Sequence, residues 1–269
     1  MPDAAPMPEP ATEPVLRRHD AAGVAWLTLN RPAARNALSL ALMQALDAEL
    51  AAIAGDAAVN VVVIGGAGPA FCSGHDLREL RAQPGHAAYQ AVFALCSRLM
   101  QRIVGLPKPV IARVHGVATA AGCQLVASCD LAVAADTARF ATPGVNLGLF
   151  CSTPMVALSR AVGRKAAMEM LLTGDLVGAA RARELGLVNR VVPESGLDAA
   201  VAALAGQIAG KSPLTLAIGK AAFYRQAELP LEDAYAYASE VMVRNMLARD
   251  AAEGIDAFLD KRAPVWTGT

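Results

Sequence analysis

The stretch Phe71-Cys72-Ser73-Gly74-His75-Asp76 decides the fold together with a second stretch, GVATAAGCQ, that runs from Gly116 to Gln124. Each stretch follows a strand-like apolar run and is built largely of small residues. Where a strand gives way to a helix, the first N–H groups of the helix have no intrahelical partner, and the helix dipole adds partial positive charge. Two such N–H groups are suited to hold one oxygen atom that becomes negative during a reaction.

Short apolar strands alternate with helices around these stretches. We predict strands over residues 24–29, 61–64, 109–114 and 131–134, and helices over residues 39–55, 87–107 and 121–128. Leu42, Leu46, Leu50 and Ile53 recur at helical spacing, so the first helix lays one face on a core. Strand and helix units that follow one another indicate a layered α/β fold with crossover connections.

The chain beyond Thr153 shows almost no strand pattern. Pro154 and Pro213 stand at positions typical of a first helical turn, and Gly174 and Gly186 at positions typical of a helix end. We therefore predict that helices fill the remainder. Because these helices are too apolar to be left exposed alone, we expect them to form an oligomer.

Length and composition limit the classes of function. The 269 residues are 55% hydrophobic, which suffices for one large core with an appendage. The 24 basic and 24 acidic residues cancel, so net charge gives no support to binding of nucleic acid or an anionic membrane. No apolar run reaches the roughly 20 residues that cross a bilayer. We expect small molecules and other subunits as partners.

The N-terminal segment and the cysteines suggest a location. Residues 1–14 are rich in Pro and Ala and unlike a targeting signal, so we predict a disordered tail. The five cysteines are an odd number and stand in apolar surroundings without the spacing of metal ligands. We predict that they are reduced, that the chain holds no metal and that the protein is cytoplasmic.

Several motifs occur together along the chain. LNRP at 29–32 with NAL at 36–38, FCSGHDL at 71–77, and GVATAAGCQ at 116–124 with CD at 129–130 resemble the crotonase (enoyl-CoA hydratase/isomerase) superfamily. The resemblance covers residues 15–266. The segments FATPGVNLGLFCSTP at 140–154 and AFLDKRAPVW at 257–266 are similar to one branch of it, the enoyl-CoA hydratase domain-containing protein 3 group.

The resemblance implies an α/β fold, a crotonase-like spiral of ββα units whose helical C-terminal region builds a homotrimer, usually paired into a hexamer. It divides the chain into the tail 1–14, an acyl-CoA-binding core over 15–205 and an oligomerisation region over 206–269. The implied substrate or ligand is a coenzyme A thioester, and no separate cofactor is implied.

The resemblance also implies site residues. The backbone N–H groups of Ser73 and Ala121 match the oxyanion hole that holds the thioester carbonyl. Ala121 stands where the family usually has glycine, and its methyl group leaves the N–H in place. Phosphate groups favour cationic partners. The residues that match the family's coenzyme A site are Arg31, Arg35, Ser73, His75, Asp76, Phe258 and Lys261. Phe258 and Lys261 would come from this subunit or from a neighbouring one.

The two glutamates of the family's hydratases are absent from the matching positions, which hold Gln124 and Gly144. A glutamine amide can orient water but cannot accept its proton, and glycine has no side chain. Hydratase activity is therefore expected to be weak or altered. Near Ser152, where related isomerases and dehalogenases carry aspartate, no carboxylate occurs. We interpret Cys151 as packing and residues 152–154 as a helix cap.

His75 is the titratable residue of greatest interest. Its ordinary pKa near 6.5 suits general acid–base catalysis, and it lies two residues from the predicted donor Ser73. A loop residue beside Asp76 could equally contact coenzyme A or cap a turn. Both interpretations remain open.

Three functions are compatible with these residues. The first is an enzyme of enoyl-CoA hydratase/isomerase type in which the oxyanion hole supplies most of the catalysis. The second is a non-catalytic acyl-CoA-binding oligomer that serves as regulator or carrier. The third, a thioester hydrolase using water held by Gln124, ranks last because nothing in the sequence supplies its base.

Overall fold

The structure is a computed structural model that describes residues 13–269. Residues 1–12, most of the predicted tail, lie outside the described residues. The side chain of Asn30 donates a hydrogen bond of 2.8 Å from Nδ2 to the carbonyl of Pro14. Pro14 is therefore held by the fold.

Two sheets organise the described chain. Within residues 13–269 the strands are β1 Leu16–Ala21, β2 Val24–Leu29, β3 Val61–Gly66, β4 Val110–Val114, β5 Val117–Thr119, β6 Leu131–Ala135, β7 Arg139–Ala141, β8 Val177–Gly178 and β9 Arg190–Val192. The larger sheet has the order β1-β2-β3-β4-β6-β9 and is parallel except between β1 and β2. The smaller sheet has the order β5-β7-β8, in which β7 pairs parallel with β5 and antiparallel with β8.

Helices cover these sheets and make up most of the C-terminal third. They are α1 Leu40–Ala54, α2 Leu77–Ala82, α3 His86–Gly105, α4 Ala121–Ser128, α5 Pro154–Ala161, α6 Arg164–Thr173, α7 Ala179–Leu185, α8 Leu197–Ala209, α9 Pro213–Gln226, α10 Leu231–Met246 and α11 Arg249–Leu259. As predicted, Ser39 begins the first helix, because its side chain accepts a hydrogen bond from the Leu42 N–H at 3.1 Å.

From β4 to β7, successive strands alternate between the two sheets. β4 and β6 lie in the larger sheet, β5 and β7 in the smaller one, and α4 follows β5. This alternation is the predicted spiral of ββα units. The sequence did not predict β1, β5, β7, β8, β9 or α2. β1 is mostly polar and exposed because it is an edge strand, held by its antiparallel ladder with β2 rather than by an apolar pattern.

The larger sheet is buried on both faces. Val61 and Val63 pack with α8, whereas Val62 and Ile64 pack with α1 and α3. This explains why β3 is apolar without alternation. The predicted boundary between core and C-terminal region, at residues 205 and 206, falls inside α8, which belongs to the core.

The helix α9 is fastened to the core by a buried cation. Lys220 Nζ donates hydrogen bonds to the carbonyls of Ile103 at 2.8 Å and Lys108 at 3.0 Å, and to Asp130 at 2.7 Å. Tyr224 donates to the same carboxylate at 2.9 Å. Because a buried charge is tolerated only when it is paired, this network fixes α9 in one position.

No single helix in residues 13–269 is both long and apolar enough to cross a bilayer; residues 194–209 and 213–226 pass that test only as a pair bent by 102°. The same part of the chain contains no group of three or more His, Cys, Asp or Glu residues placed to hold a metal ion.

The carboxylate of Asp250 holds the residues that follow α11. It is almost fully buried and accepts hydrogen bonds from Ser212 Oγ at 2.6 Å, the Thr267 N–H at 2.7 Å and the Gly268 N–H at 3.0 Å. Burial opposes ionisation of this carboxyl, but the donors outweigh burial and lower the pKa of Asp250 to about 2. Asp250 therefore ties the start of α9 to residues 267–268.

Replacing Asp250 with alanine should lower the free energy of unfolding by roughly 1.5–3 kcal/mol, because hydrogen bonds to a charged group are lost. Since the folded state lowers the pKa of this carboxyl, the difference between wild type and variant is expected in full above the ordinary pKa of 3.8 and should shrink as pH falls toward 2. Urea denaturation across this pH range measures it. The control Asp256→Asn, on the exposed side of α11, should change little; equal losses in both variants would contradict the assignment.

Candidate active site

A cleft of about 730 Å³ opens where several loops meet. Its walls come from the turn after β2, the loop between β3 and α2, the start of α4, the turn after β7 and one side of α3. Six of the predicted site residues line it: Arg31, Arg35, Ser73, His75, Asp76 and Ala121. Among the described residues, the lining does not include Gln124, Phe258 or Lys261.

Two glycines let the loop after β3 lie directly on the start of α4. A Cβ at Gly122 would overlap the Cys72 carbonyl oxygen. Gly74 has a φ of +96°, and a Cβ there would lie 2.8 Å from Ala120 Cβ and 3.3 Å from Ala121 N. The loop at Gly74 and the first turn of α4 are therefore in direct backbone contact, which a larger residue at either glycine would prevent.

The N–H groups of His75 and of the first three residues of α4 make no backbone hydrogen bond to any described residue at this contact. Within residues 13–269 the N–H groups of His75 and Ala121 donate no hydrogen bond. The backbone of Leu38 makes hydrogen bonds to the two residues that flank His75. The Leu38 N–H donates to the Gly74 carbonyl at 2.7 Å, and the Leu38 carbonyl accepts from the Asp76 N–H at 3.3 Å. Peptide groups of an extended chain alternate in direction, so the His75 N–H points away from Leu38. Ala121 begins α4, and its N–H has no intrahelical partner.

The predicted donor Ser73 differs from these two residues. Its N–H donates to the Arg35 carbonyl at 3.1 Å. The structure therefore contradicts the prediction of a free Ser73 donor and leaves the N–H of His75 free instead. The sequence signal that could have located this donor is Gly74, because its positive φ turns the chain between the two residues.

Backbone strain immediately precedes the second N–H group. Ala120 has φ 51° and ψ −119°, a conformation that residues with a Cβ rarely adopt. Its N–H donates to the Ala141 carbonyl on β7 at 2.9 Å, which helps to hold it there. Strain of this kind costs about 1–3 kcal/mol and is found preferentially at functional sites.

The side chain of His75 lies inside the cleft without a polar partner. Neither Nδ1 nor Nε2 makes a hydrogen bond to residues 13–269, although both atoms are buried. The ring packs edge-to-face on Phe93 of α3, with 5.4 Å between ring centroids. Burial lowers the pKa of His75 below its ordinary value, so the ring is neutral at neutral pH. Phe93 was not among the predicted site residues, because its position on α3 gives no sequence signal of a role at the site.

Asp76 is committed to the local structure. Its carboxylate caps α2 by accepting from the Arg78 N–H at 3.1 Å and the Glu79 N–H at 3.3 Å, and it pairs with Arg31 at 2.9 Å. Although partial burial opposes ionisation, the Arg31 guanidinium and the backbone donors hold the pKa of Asp76 below its usual range. Asp76 and Arg31 therefore brace the loop that carries His75.

Gln124 faces a different cavity. It lies one helical turn beyond Ala121, is nearly buried, and lines a second space of about 680 Å³ between α3, α4 and α9. Its side-chain oxygen is 3.9 Å from Cys96 Sγ. Thr153 lines both cavities, so they are neighbours. Gln124 therefore does not line the cleft that holds His75 and Ala121.

Gly144 lines the cleft, but its surroundings leave no room for a side chain. An added Cβ would lie 2.6 Å from the Leu149 carbonyl oxygen and 2.8 Å from Cys151 Sγ. The position that carries a catalytic glutamate in the family's hydratases therefore has no side chain here, and the surrounding loop leaves no space for one. Burial raises the pKa of the Cys151 thiol, which supports its interpretation as a packing residue.

The predicted cap at residues 152–154 forms only in part. Pro154 occupies the first turn of α5, as predicted. Thr153 stands at the cap position but makes no side-chain cap bond, and Ser152 Oγ donates to the Phe150 carbonyl at 3.3 Å instead. The difference arises because Thr153 has helical backbone angles, which turn its hydroxyl away from the free N–H groups of α5.

Phe258 and Lys261 lie away from the cleft of their own chain. Phe258, on α11, is 82% exposed, and Lys261 follows that helix with a φ of +56°. Within one chain the structure does not bring them together with Arg31, Arg35 or the loop 73–76.

Comparison with known proteins supplies the family. The Enoyl-CoA hydratase/isomerase family model matches residues 19–269. The chain belongs to the crotonase (enoyl-CoA hydratase/isomerase) family. Enoyl-CoA hydratase domain-containing protein 3, mitochondrial, of Xenopus laevis is 51% identical over 91% of this chain and 83% of its own length. The motifs thus predicted both superfamily and branch correctly.

Solved structures confirm the predicted crotonase-like fold. An enoyl-CoA hydratase crystal structure from Mycobacterium smegmatis has a TM-score of 0.92 at 55% identity, covering 94% of this chain and 99% of that one. Human enoyl-CoA hydratase domain-containing protein 3 has a TM-score of 0.91 at 48% identity, covering 94% and 100%.

The predicted cytoplasmic location is contradicted by these comparisons. The relative from Xenopus laevis and those from rat, mouse and human are all named mitochondrial. The prediction rested on cysteines, and all five are indeed free and buried. Reduced thiols exclude only an oxidising compartment, so they could not distinguish one reducing compartment from another.

Glutamates placed at both family positions should not restore hydratase chemistry. In Gln124→Glu with Gly144→Glu, the new side chain at residue 144 collides with Leu149 and Cys151, while residue 124 faces the second cavity. We expect crotonyl-CoA hydration, followed by loss of enoyl absorbance, to stay at background.

The free energy of unfolding of the same variant should be lower than that of wild type by about 1–3 kcal/mol, because the new side chain overpacks its surroundings. Gly163→Glu is the control, because a Cβ there meets nothing within 4 Å. Crotonyl-CoA hydration well above the wild-type rate, with an unchanged free energy of unfolding, would show that the loop around residue 144 moves aside for the new side chain.

Proposed function

We propose that this protein binds acyl-CoA thioesters in the cleft and stabilises the thioester oxygen as it becomes an enolate. The observation that carries the proposal is the pair of unbonded N–H groups of His75 and Ala121 at the contact between two loops that line one cavity. Two preorganised donors aimed at a developing negative charge stabilise it far better than water does. Family membership and the contact at Gly74 and Gly122 support this arrangement.

Two guanidinium groups at the cleft support binding of the coenzyme A phosphates. Arg35 and Arg78 line the cleft, are exposed, and make no side-chain hydrogen bond or ion pair to residues 13–269. Arg31 is instead bound to Asp76 and to the Ala37 carbonyl. Guanidinium groups bind phosphates strongly, so Arg35 and Arg78 are the better candidates. Phe258 and Lys261 would reach the nucleotide end only from a neighbouring subunit.

The reaction that fits this cleft is proton transfer at the α-carbon of the thioester. Addition of water needs a group that accepts a proton from water beside the β-carbon. Gln124 and Gly144 supply no such group, and Gln124 lies in the other cavity. Stabilisation of an enolate alone suits double-bond isomerisation or α-proton exchange. We therefore assign the protein to the isomerase side of the family's chemistry.

The second candidate is a non-catalytic acyl-CoA-binding regulator or carrier. It is favoured by the lack of room for a side chain at Gly144 and by the commitment of Asp76 to local hydrogen bonds, because neither position supplies a free carboxylate. The third candidate, a thioester hydrolase using water held by Gln124, has no support, since Gln124 does not line the cleft that holds the free N–H groups.

Ligands that differ only at the carbonyl test the oxyanion hole on the unmodified protein. Butanoyl-CoA should bind at least about tenfold more tightly than butyl-CoA, the thioether without a carbonyl oxygen, because it gains hydrogen bonds to two N–H groups. Calorimetry measures both. The protein should also exchange the α-protons of butanoyl-CoA in deuterated water.

Equal affinity for the two ligands would contradict the oxyanion hole. Tight binding of butanoyl-CoA without exchange would favour the carrier. The comparison separates binding of the oxygen from chemistry at the neighbouring carbon.

The C-terminal helices support a homotrimer or hexamer. On α10, the residues Leu231, Tyr235, Met242 and Met246 are each at least half exposed and follow one another at intervals of four, seven and four residues. This spacing places them in one stripe. A continuous exposed apolar stripe on a soluble helix indicates a surface that another chain covers.

Charges in this stripe should dissociate the oligomer. The double variant Tyr235→Asp with Met242→Asp would place two carboxylates in an apolar interface. Sedimentation velocity should therefore show the mass of one chain for this variant and the mass of three or six chains for wild type. Arg244→Asp, on the opposite side of α10, should leave the wild-type mass. Unchanged mass in the double variant would exclude this face.

A further inference from the structure

His75 carries the one buried side chain in residues 13–269 whose polar atoms have no hydrogen-bond partner. A buried polar group without a partner costs about 1–3 kcal/mol, and native proteins seldom keep one without a functional reason. The ring is positioned by Phe93 rather than by hydrogen bonds. Both ring nitrogens are therefore held in place without a hydrogen-bond partner among the described residues, and a ligand reaches them only from the cleft that His75 lines.

The other groups in the cleft that could move a proton are already engaged. Glu79 accepts a hydrogen bond from the Leu40 N–H at 2.9 Å, and Asp76 is bound to Arg31 and to the start of α2. The thiol of Cys151 has a raised pKa and so carries little thiolate. Among the described residues that line the cleft, the imidazole is the proton acceptor that has no hydrogen-bond partner.

We infer that His75 acts twice on the bound thioester, its backbone N–H holding the carbonyl oxygen and its imidazole removing the proton from the neighbouring α-carbon. This inference rests on the proposed function. Both groups belong to one residue, and the oxygen and the α-carbon of a thioester are attached to the same carbonyl carbon. A ligand whose oxygen accepts from the His75 N–H has its α-carbon two bonds from that oxygen, in the cleft that the His75 side chain also lines.

The step is balanced without any further reactant. The lone pair of the unprotonated ring nitrogen forms a new N–H bond as the α C–H bond breaks. The C–H electron pair moves into the enolate, whose oxygen is held by the N–H groups of His75 and Ala121. In deuterated water the imidazolium exchanges its proton with the solvent and returns a deuteron to the α-carbon, which is α-proton exchange. With a 3-enoyl thioester it delivers its proton to the γ-carbon of the dienolate, which gives the 2-enoyl isomer.

Burial keeps the ring ready for this role at neutral pH. Because the pKa of His75 lies below its ordinary value, the ring is unprotonated there and the rate should be independent of pH. The rate should fall as pH drops below that pKa, since a protonated ring cannot accept the α-proton. The charged or titratable groups that face the same cleft are Arg31, Arg35, Arg78, Asp76, Glu79 and Cys151.

His75→Gln is the decisive variant, because glutamine keeps the backbone N–H and a similar polar volume but cannot exchange a proton. We expect α-proton exchange of butanoyl-CoA in deuterated water, followed by NMR, to fall at least about 100-fold. The dissociation constant should stay within about threefold of wild type. His86→Gln is the matched control, because His86 is exposed at the start of α3 and does not line the cleft.

The outcomes separate this inference from the proposed function. Exchange that survives in His75→Gln overturns the role of the ring alone, whereas absence of exchange in wild type overturns the enolate chemistry and the inference together. If His75→Gln fails to fold, the wild-type pH profile decides. A rate that does not fall between pH 7 and pH 5 while the His75 ring titrates by NMR overturns the inference.

Discussion

The direct backbone contact between the loop after β3 and the first turn of α4 is the constraint on which the rest of the structure depends. It exists because Gly74 and Gly122 have no side chain to separate the two segments. The strands β3 and β5 lead into the two segments, and Ala120 takes up the strain of the turn between β5 and α4. The N–H groups of His75 and Ala121 are left without a hydrogen bond to the described chain, and no particular side chain is needed for this.

In the described part of the chain, the charged residues that line the cleft are three arginines and two carboxylates, Arg31, Arg35, Arg78, Asp76 and Glu79. Asp76 is neutralised by Arg31, and the His75 ring is kept unprotonated by burial against Phe93. Arg35 and Arg78 retain free guanidinium groups. An anionic ligand with an apolar thioester end fits this distribution. The Leu149 carbonyl and Cys151 crowd Gly144 and leave no room there for a carboxylate side chain.

Much of the fold could be predicted because its signals are local. Ser39 caps α1, Leu42 and Leu46 mark its buried face, and the strands of the larger sheet are apolar because helices cover both faces. The edge strand β1 and the short strands β8 and β9 were missed, since they depend on pairing with neighbours rather than on their own pattern. The prediction of a cytoplasmic location, which rested on the cysteines, was wrong because reduced thiols do not distinguish one reducing compartment from another.

The sequence by itself determined the family, the ββα spiral, the small residues at the two junctions and the absence of both hydratase glutamates, because each is a matter of residue identity at a given position. Only the tertiary structure decided that the free donor is the N–H of His75, that Ser73 is bonded to Arg35, and that Gln124 faces a second cavity. Those properties depend on which direction a peptide group or side chain points, and direction is set by contacts between segments distant in sequence.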